Sequence, residues 1–85
     1  MAKITVYTAR LCPYCHTAKE LLRKKDREFD EVDVSGCMEL RAAMCEKAGD
    51  RLTVPQIWID EVHVGGCNDL YTLDREGKFN LLLTV

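Results

Sequence analysis

The sequence predicts an α/β fold in the order β-α-β-α-β-β-α, with one mixed four-stranded sheet flanked by helices. Three observations carry that reading. Short stretches of apolar residues alternate with polar ones, the period of a half-buried strand. Between them lie segments whose apolar residues recur every three or four positions, the period of an amphipathic helix. No linker, repeat or low-complexity stretch interrupts the 85 residues, so residues 1–85 read as one domain around one core.

Each element follows from its local pattern. Residues 3–7 alternate, with Ile4 and Val6 on one side and Lys3, Thr5 and Tyr7 on the other. Residues 13–25 place Ala18, Leu21, Leu22 and Lys25 on one helical face, and Pro13 suits a first helical position, where no amide hydrogen is needed. Cys12 is then the N-cap. Residues 28–34 read as a second strand despite their acidic side chains, and Ser35-Gly36 breaks it. From Cys37 to Ala48 the positions Leu40, Met44 and Ala48 repeat every fourth residue, and Gly49 is placed to end that helix.

Residues 56–60 alternate again, with Ile57 and Ile59 on one side and Trp58 on the other, under a helix. Asp60-Glu61 makes a turn, residues 62–64 a partner strand, and Gly65-Gly66 a break. A third helix over 67–75 is expected to bury Leu70, Tyr71 and Leu73, and Gly77 ends it. Leu81–Leu83 is expected to pack back as a last helical turn. The first two strands, joined by a helix, should be parallel with a right-handed crossover, and the last two an antiparallel hairpin.

Composition excludes several classes of function. The net charge is −2, and the densest basic stretch, Arg23-Lys24-Lys25, is followed at once by Asp26, so no nucleic-acid face is indicated. No apolar run approaches the roughly 20 residues of a membrane-spanning helix. The N-terminal residues enter a strand pattern without the apolar stretch of a secretion signal, so a cytoplasmic location is expected. Five cysteines could suggest a disulfide scaffold, but the odd number and the well-patterned core point to chemistry.

Cys12-Pro13-Tyr14-Cys15 falls where a strand ends and a helix begins, the context that makes a C-x-x-C motif redox-active. A thiol attacks a disulfide as its thiolate, and the unpaired amides and dipole of a helix start favour negative charge on sulfur. With Pro13 lacking an amide hydrogen, the donors to Cys12 are the amides of Tyr14 and Cys15. Cys15, one turn in, should stay protonated, donate its S–H to Cys12 and later resolve a mixed disulfide. A zinc knuckle would need a second C-x-x-C or a paired histidine motif, and neither is present, so no metal site is expected.

Three motifs together resemble the glutaredoxin family, in particular its short bacterial dithiol members. They are Tyr7-Thr8 with Cys12-Pro13-Tyr14-Cys15-His16, then Arg51 with Thr53-Val54-Pro55-Gln56-Ile57, then Gly65-Gly66-Cys67-Asn68-Asp69-Leu70. The resemblance covers essentially the whole chain. It implies a thioredoxin-like fold, glutathione as co-substrate with no tightly bound cofactor, and reduction of protein disulfides and glutathionylated proteins by a monomer. It also implies that Cys12 and Cys15 are catalytic and that the bond before Pro55 is cis.

For the glutathione site, the resemblance implies Tyr14, Arg51 and the run Thr53-Val54-Pro55 on one side, and Gly66, Cys67, Asn68 and Asp69 on the other. Val54 would pair with the cysteinyl backbone of glutathione, the start of the third helix would take its γ-glutamyl carboxylate, and Asp69 its ammonium group. Asp69 also suits helix-start charge compensation. Arg51 would meet the glycyl carboxylate. Many relatives carry a lysine three residues before the nucleophile; here that position is Ala9, with Arg10 beside it. Cys37, Cys45 and His16 are given no catalytic role. Two other functions stand beside the leading one: an iron–sulfur cluster carrier, disfavoured by Pro13 and Cys15, and a redoxin served by thioredoxin reductase.

Overall fold

The computed structural model describes residues 3–49 and 53–79. Its elements are β1 (Ile4–Thr8), α1 (Pro13–Lys24), β2 (Asp30–Asp33), α2 (Met38–Lys47), β3 (Gln56–Ile59), β4 (Val62–Gly65) and α3 (Cys67–Arg75). The sheet order is β2-β1-β3-β4. β1 runs parallel to β2, with Thr5 opposite Asp30, and antiparallel to β3, with Val6 opposite Ile57. β3 and β4 form the expected antiparallel hairpin. Its turn is Asp60-Glu61, where Asp60 adopts a left-handed φ of 54° and exchanges hydrogen bonds with Lys3.

The two faces of the sheet carry different cores. On one, Ile4 and Val6 of β1 and Ile57 and Ile59 of β3 pack with Ala18, Leu21 and Leu22 of α1 and Leu70 of α3. On the other, Trp58 packs under α2 against Met44 and Ala48, with Tyr7 and Val54 alongside. The period-two alternation in β1 and β3 separates these two sets. α1 and α3 are tied at their ends by the Lys25–Asp74 ion pair, 2.5 Å long.

β2 is the least apolar strand because it is an edge. Asp30, Glu31 and Asp33 are exposed there, and charge on an edge strand discourages pairing with another chain. Glu31 accepts from the Thr8 hydroxyl at 2.8 Å and from Lys19 Nζ at 3.0 Å. These bonds, the Thr8 one foremost, hold its carboxyl below the ordinary value.

Two helical positions differ from expectation. Tyr71 is 39% exposed rather than buried. Leu70, fully buried, and Leu73, packed on the core, set the inward face of α3, and Tyr71 is turned about 100° from Leu70. Leu40 is 40% exposed although it shares a face with Met44 and Ala48, because the C-terminal half of α2 is the part that covers Trp58. Gly49 takes φ +66° just past the α2 C-cap, a conformation that ends a helix without a Cβ penalty. Phe79, after α3, is buried in the main core, a role that its sequence neighbourhood does not announce. The predicted Leu81–Leu83 turn lies outside the described residues.

Leu22 is fully buried between the sheet and the two helices of the main core. Leu22→Ala is expected to cost about 2–5 kcal/mol of stability, read as a lower urea midpoint with an unchanged slope.

Candidate active site

The site is built at the end of β1, a strand paired on both edges and therefore firmly placed. The chain leaves Thr8, passes Ala9 to Leu11, and enters α1 at Pro13. Leu11 takes a left-handed φ of 53° with its side chain fully in solvent, and Cys12 follows as N-cap with extended dihedrals of −109° and 101°. Pro13 occupies the first turn as expected. Of the two amides expected to face Cys12 Sγ, that of Cys15 donates to it at 3.1 Å. On its other side Cys12 Sγ lies 3.7 Å from the Val54 carbonyl oxygen.

Cys15 is 2% exposed. Burial, and next its hydrogen bond to Cys12, push its thiol up from an ordinary value of 9.0 to about 12. The two cysteines of one motif are thus held in opposite environments. Cys12 is partly exposed at a helix start, while Cys15 faces the core side of the same helix and remains a thiol. Cys67, also buried, has its thiol pushed up first by burial and then by the charge of Cys12.

Beside Cys12 lies a groove of about 320 Å³ lined by Tyr14, Thr53, Val54, Pro55, Gly66, Cys67, Asn68 and Asp69. These come from the start of α1, the loop before β3 and the start of α3, three segments far apart in sequence. The Val54–Pro55 bond is cis. Arg51, expected at the same site, lies outside the described residues.

Asp69 lines the groove, and Gly65 lies close against its side chain. Asp69 Oδ2 accepts from the Gly66 amide at 2.9 Å, so its carboxylate caps α3 as well as lining the groove. Gly65 has φ +117°, and a Cβ there would lie 2.3 Å from Asp69 Oδ2. Only glycine fits, for backbone and for space.

Cys12 itself lines a second depression of about 500 Å³, together with Ala9, Leu11, Pro13, Cys15, His16 and Lys19. Lys19 had no place in the sequence analysis. Its charge nonetheless acts on Cys15, and the available signal was its spacing four residues along the same helix. Arg10 is exposed; its amide donates to Ser35 Oγ at 2.6 Å and its charge acts on Asp33, so the structure directs it to the β2 edge rather than into the groove. His16 is exposed and lies 3.7 Å from Glu20. Cys37 and Cys45 are partly buried on α2 and its cap, and neither lines the groove. Among the described residues, no group of three or more His, Cys, Asp or Glu side chains could hold a metal ion, and no helix is long and apolar enough to cross a membrane.

Two expectations follow. Gly65→Ala should destabilise the protein by about 2–4 kcal/mol in urea denaturation, because it strains the backbone and displaces the Asp69 cap. The raised Cys15 thiol adds stability that is complete below the unfolded thiol's value and is lost as pH climbs toward about 12. Between pH 9 and 11 the reduced protein should therefore lose stability with a steeper slope than its Cys15→Ser variant, in denaturation curves taken at stepped pH.

Residues 4–64 match the family model described as Glutaredoxin. The chain is 48% identical over 83 residues to glutaredoxin 3 of Escherichia coli, covering 98% of this chain and 99% of that one. The solution structure of glutaredoxin from Brucella melitensis superposes with a TM-score of 0.86 at 54% identity, over 98% of this chain and 89% of its own. The crystal structure of a buckwheat glutaredoxin–glutathione complex superposes with a TM-score of 0.87 at 26% identity, covering 98% and 77%. The fold is thioredoxin-like. With a C-x-x-C pair at the mouth of its first helix, the chain belongs to the glutaredoxin family of thiol–disulfide oxidoreductases.

Proposed function

We propose that this protein is a glutathione-dependent oxidoreductase that reduces protein disulfides and glutathionylated proteins, with Cys12 as nucleophile and Cys15 as resolving thiol. The observation that carries the proposal is the placement of Cys12 Sγ between the Cys15 amide and the carbonyl of Val54, a residue that lines the groove. Glutathione is the ligand best suited to that groove. A loop carbonyl at Val54 can pair with its cysteinyl backbone, and the amides at the α3 start can meet a carboxylate. A solved relative named as a glutathione complex supports the same ligand.

The chemistry balances as two thiol–disulfide exchanges. The Cys12 thiolate attacks the glutathionyl sulfur of a mixed disulfide, forming Cys12–S–S–glutathione and releasing the protein thiolate, which takes a proton from water. A second glutathione, as its thiolate, attacks the glutathionyl sulfur; glutathione disulfide leaves and Cys12 is regenerated. With a protein disulfide, Cys12 first forms a mixed disulfide with the target. Cys15 then gives up its proton and attacks the Cys12 sulfur, releasing the reduced target and closing a Cys12–Cys15 disulfide that two glutathiones reopen. The same burial that keeps Cys15 protonated prevents it from competing as first nucleophile.

Three side-by-side assays test this reading. Cys12→Ser should lose deglutathionylation by about a thousandfold or more. Cys15→Ser should retain deglutathionylation within a few-fold yet fail to reduce a protein disulfide by the dithiol route. Efficient turnover by the Cys12→Ser protein, or reduction of the wild type by thioredoxin reductase in preference to glutathione, would overturn it.

A further inference from the structure

Gln56 opens β3 and is completely buried, a polar side chain in a strand that otherwise reads Ile57-Trp58-Ile59. Its Nε2 donates to the Thr53 carbonyl at 2.9 Å and lies 3.2 Å from Thr53 Oγ1. A carbonyl oxygen can only accept, so the end of the carboxamide facing Thr53 is its NH2 group. The other end is then Oε1, which lies 2.7 Å from His63 Nε2 on β4. An amide oxygen cannot donate either. His63 must therefore carry its hydrogen on Nε2. The imidazole is held by stacking on Trp58, with ring centres 4.6 Å apart and planes at 27°.

These contacts form one chain from β4 through β3 to the loop that borders the groove. Thr53 and Val54 both line that groove, and the Val54 carbonyl stands 3.7 Å from Cys12 Sγ. A buried amide satisfied at both ends resists displacement, because breaking either bond strands a polar group away from water. Thr53 itself is exposed, so the loop is held from its inner side, through Gln56.

We propose that Gln56 and His63, the latter as its Nε2–H tautomer, are positioning residues for glutathione recognition. They hold Thr53-Val54-Pro55 at the depth where Val54 meets the cysteinyl backbone of the substrate. This rests on the glutathione reading of the groove. Neither side chain lines the groove, so the effect passes through the loop.

The test is steady-state turnover of a glutathionylated peptide by wild type and three variants, with thermal stability measured alongside. Gln56→Met keeps the volume but removes both bonds. Gln56→Glu keeps an acceptor for His63 but sets a carboxylate oxygen against the Thr53 carbonyl. His63→Phe keeps a ring to stack on Trp58 and removes the Nε2–H. The Gln56 variants should raise KM about tenfold, the scale of one unsatisfied buried polar group, with kcat within about twofold. His63→Phe should raise KM several-fold at unchanged kcat. In nitrogen–proton NMR spectra above pH 8, the His63 ring proton should sit on Nε2.

A wild type that does not turn over the glutathionylated peptide overturns the function proposed above, and this inference with it. Wild-type turnover with KM unchanged in His63→Phe overturns this inference alone, even if the Gln56 variants fail to fold. The inference is equally overturned if kcat falls with stability while KM stays level, or if the ring proton sits on Nδ1.

Discussion

The hydrogen bond from the Cys15 amide to Cys12 Sγ is the contact around which the site is organised. It exists because the chain turns from extended to helical at Cys12, leaving first-turn amides without carbonyl partners. Pro13 sets the helical φ of the first turn without adding a donor of its own. The preceding residue, Leu11, accepts a left-handed backbone to bring the sulfur to the helix mouth. β1 gives that turn a firm base, since it is hydrogen-bonded to β2 on one edge and β3 on the other.

Two identical side chains three residues apart sit in contrasting environments on either side of that contact. One helical turn separates a partly exposed sulfur at a positive helix end from a buried one on the core side. Desolvation dominates at Cys15, because a thiolate is far costlier than a thiol in a low-dielectric interior. Lys19 pulls the other way but, being already paired with Glu31, is the weakest of the influences on it. The asymmetry is positional: the residue type is the same.

The groove is built on the same plan. It is lined by two helix starts and a loop, places where backbone groups lack partners within their own element. Asp69 holds the α3 end through the Gly66 amide, and the bare Cα of Gly65 leaves room for it. On the facing wall the buried Gln56 amide secures Thr53. Recognition surfaces made of backbone need such support, since a loop with exposed tips otherwise has little to hold its depth.

Local pattern alone determined a good deal. The alternation in β1 and β3, the three-and-four spacing in α1, the glycine after α2 and the Pro13 start were legible because each expresses a preference of a few neighbouring residues. So was the N-cap role of Cys12, which follows from a strand-to-helix boundary. The outward turn of Tyr71 and Leu40 and the burial of Phe79 were not, because each depends on where another element lies. The strand order β2-β1-β3-β4, the meeting of Tyr14, Thr53 and Asp69 around one groove, and the Gln56–His63 bond are likewise products of the tertiary structure. Sequence periodicity records which face of an element avoids water, whereas the groups that face one another across a gap are chosen only when the sheet assembles and the helices pack upon it.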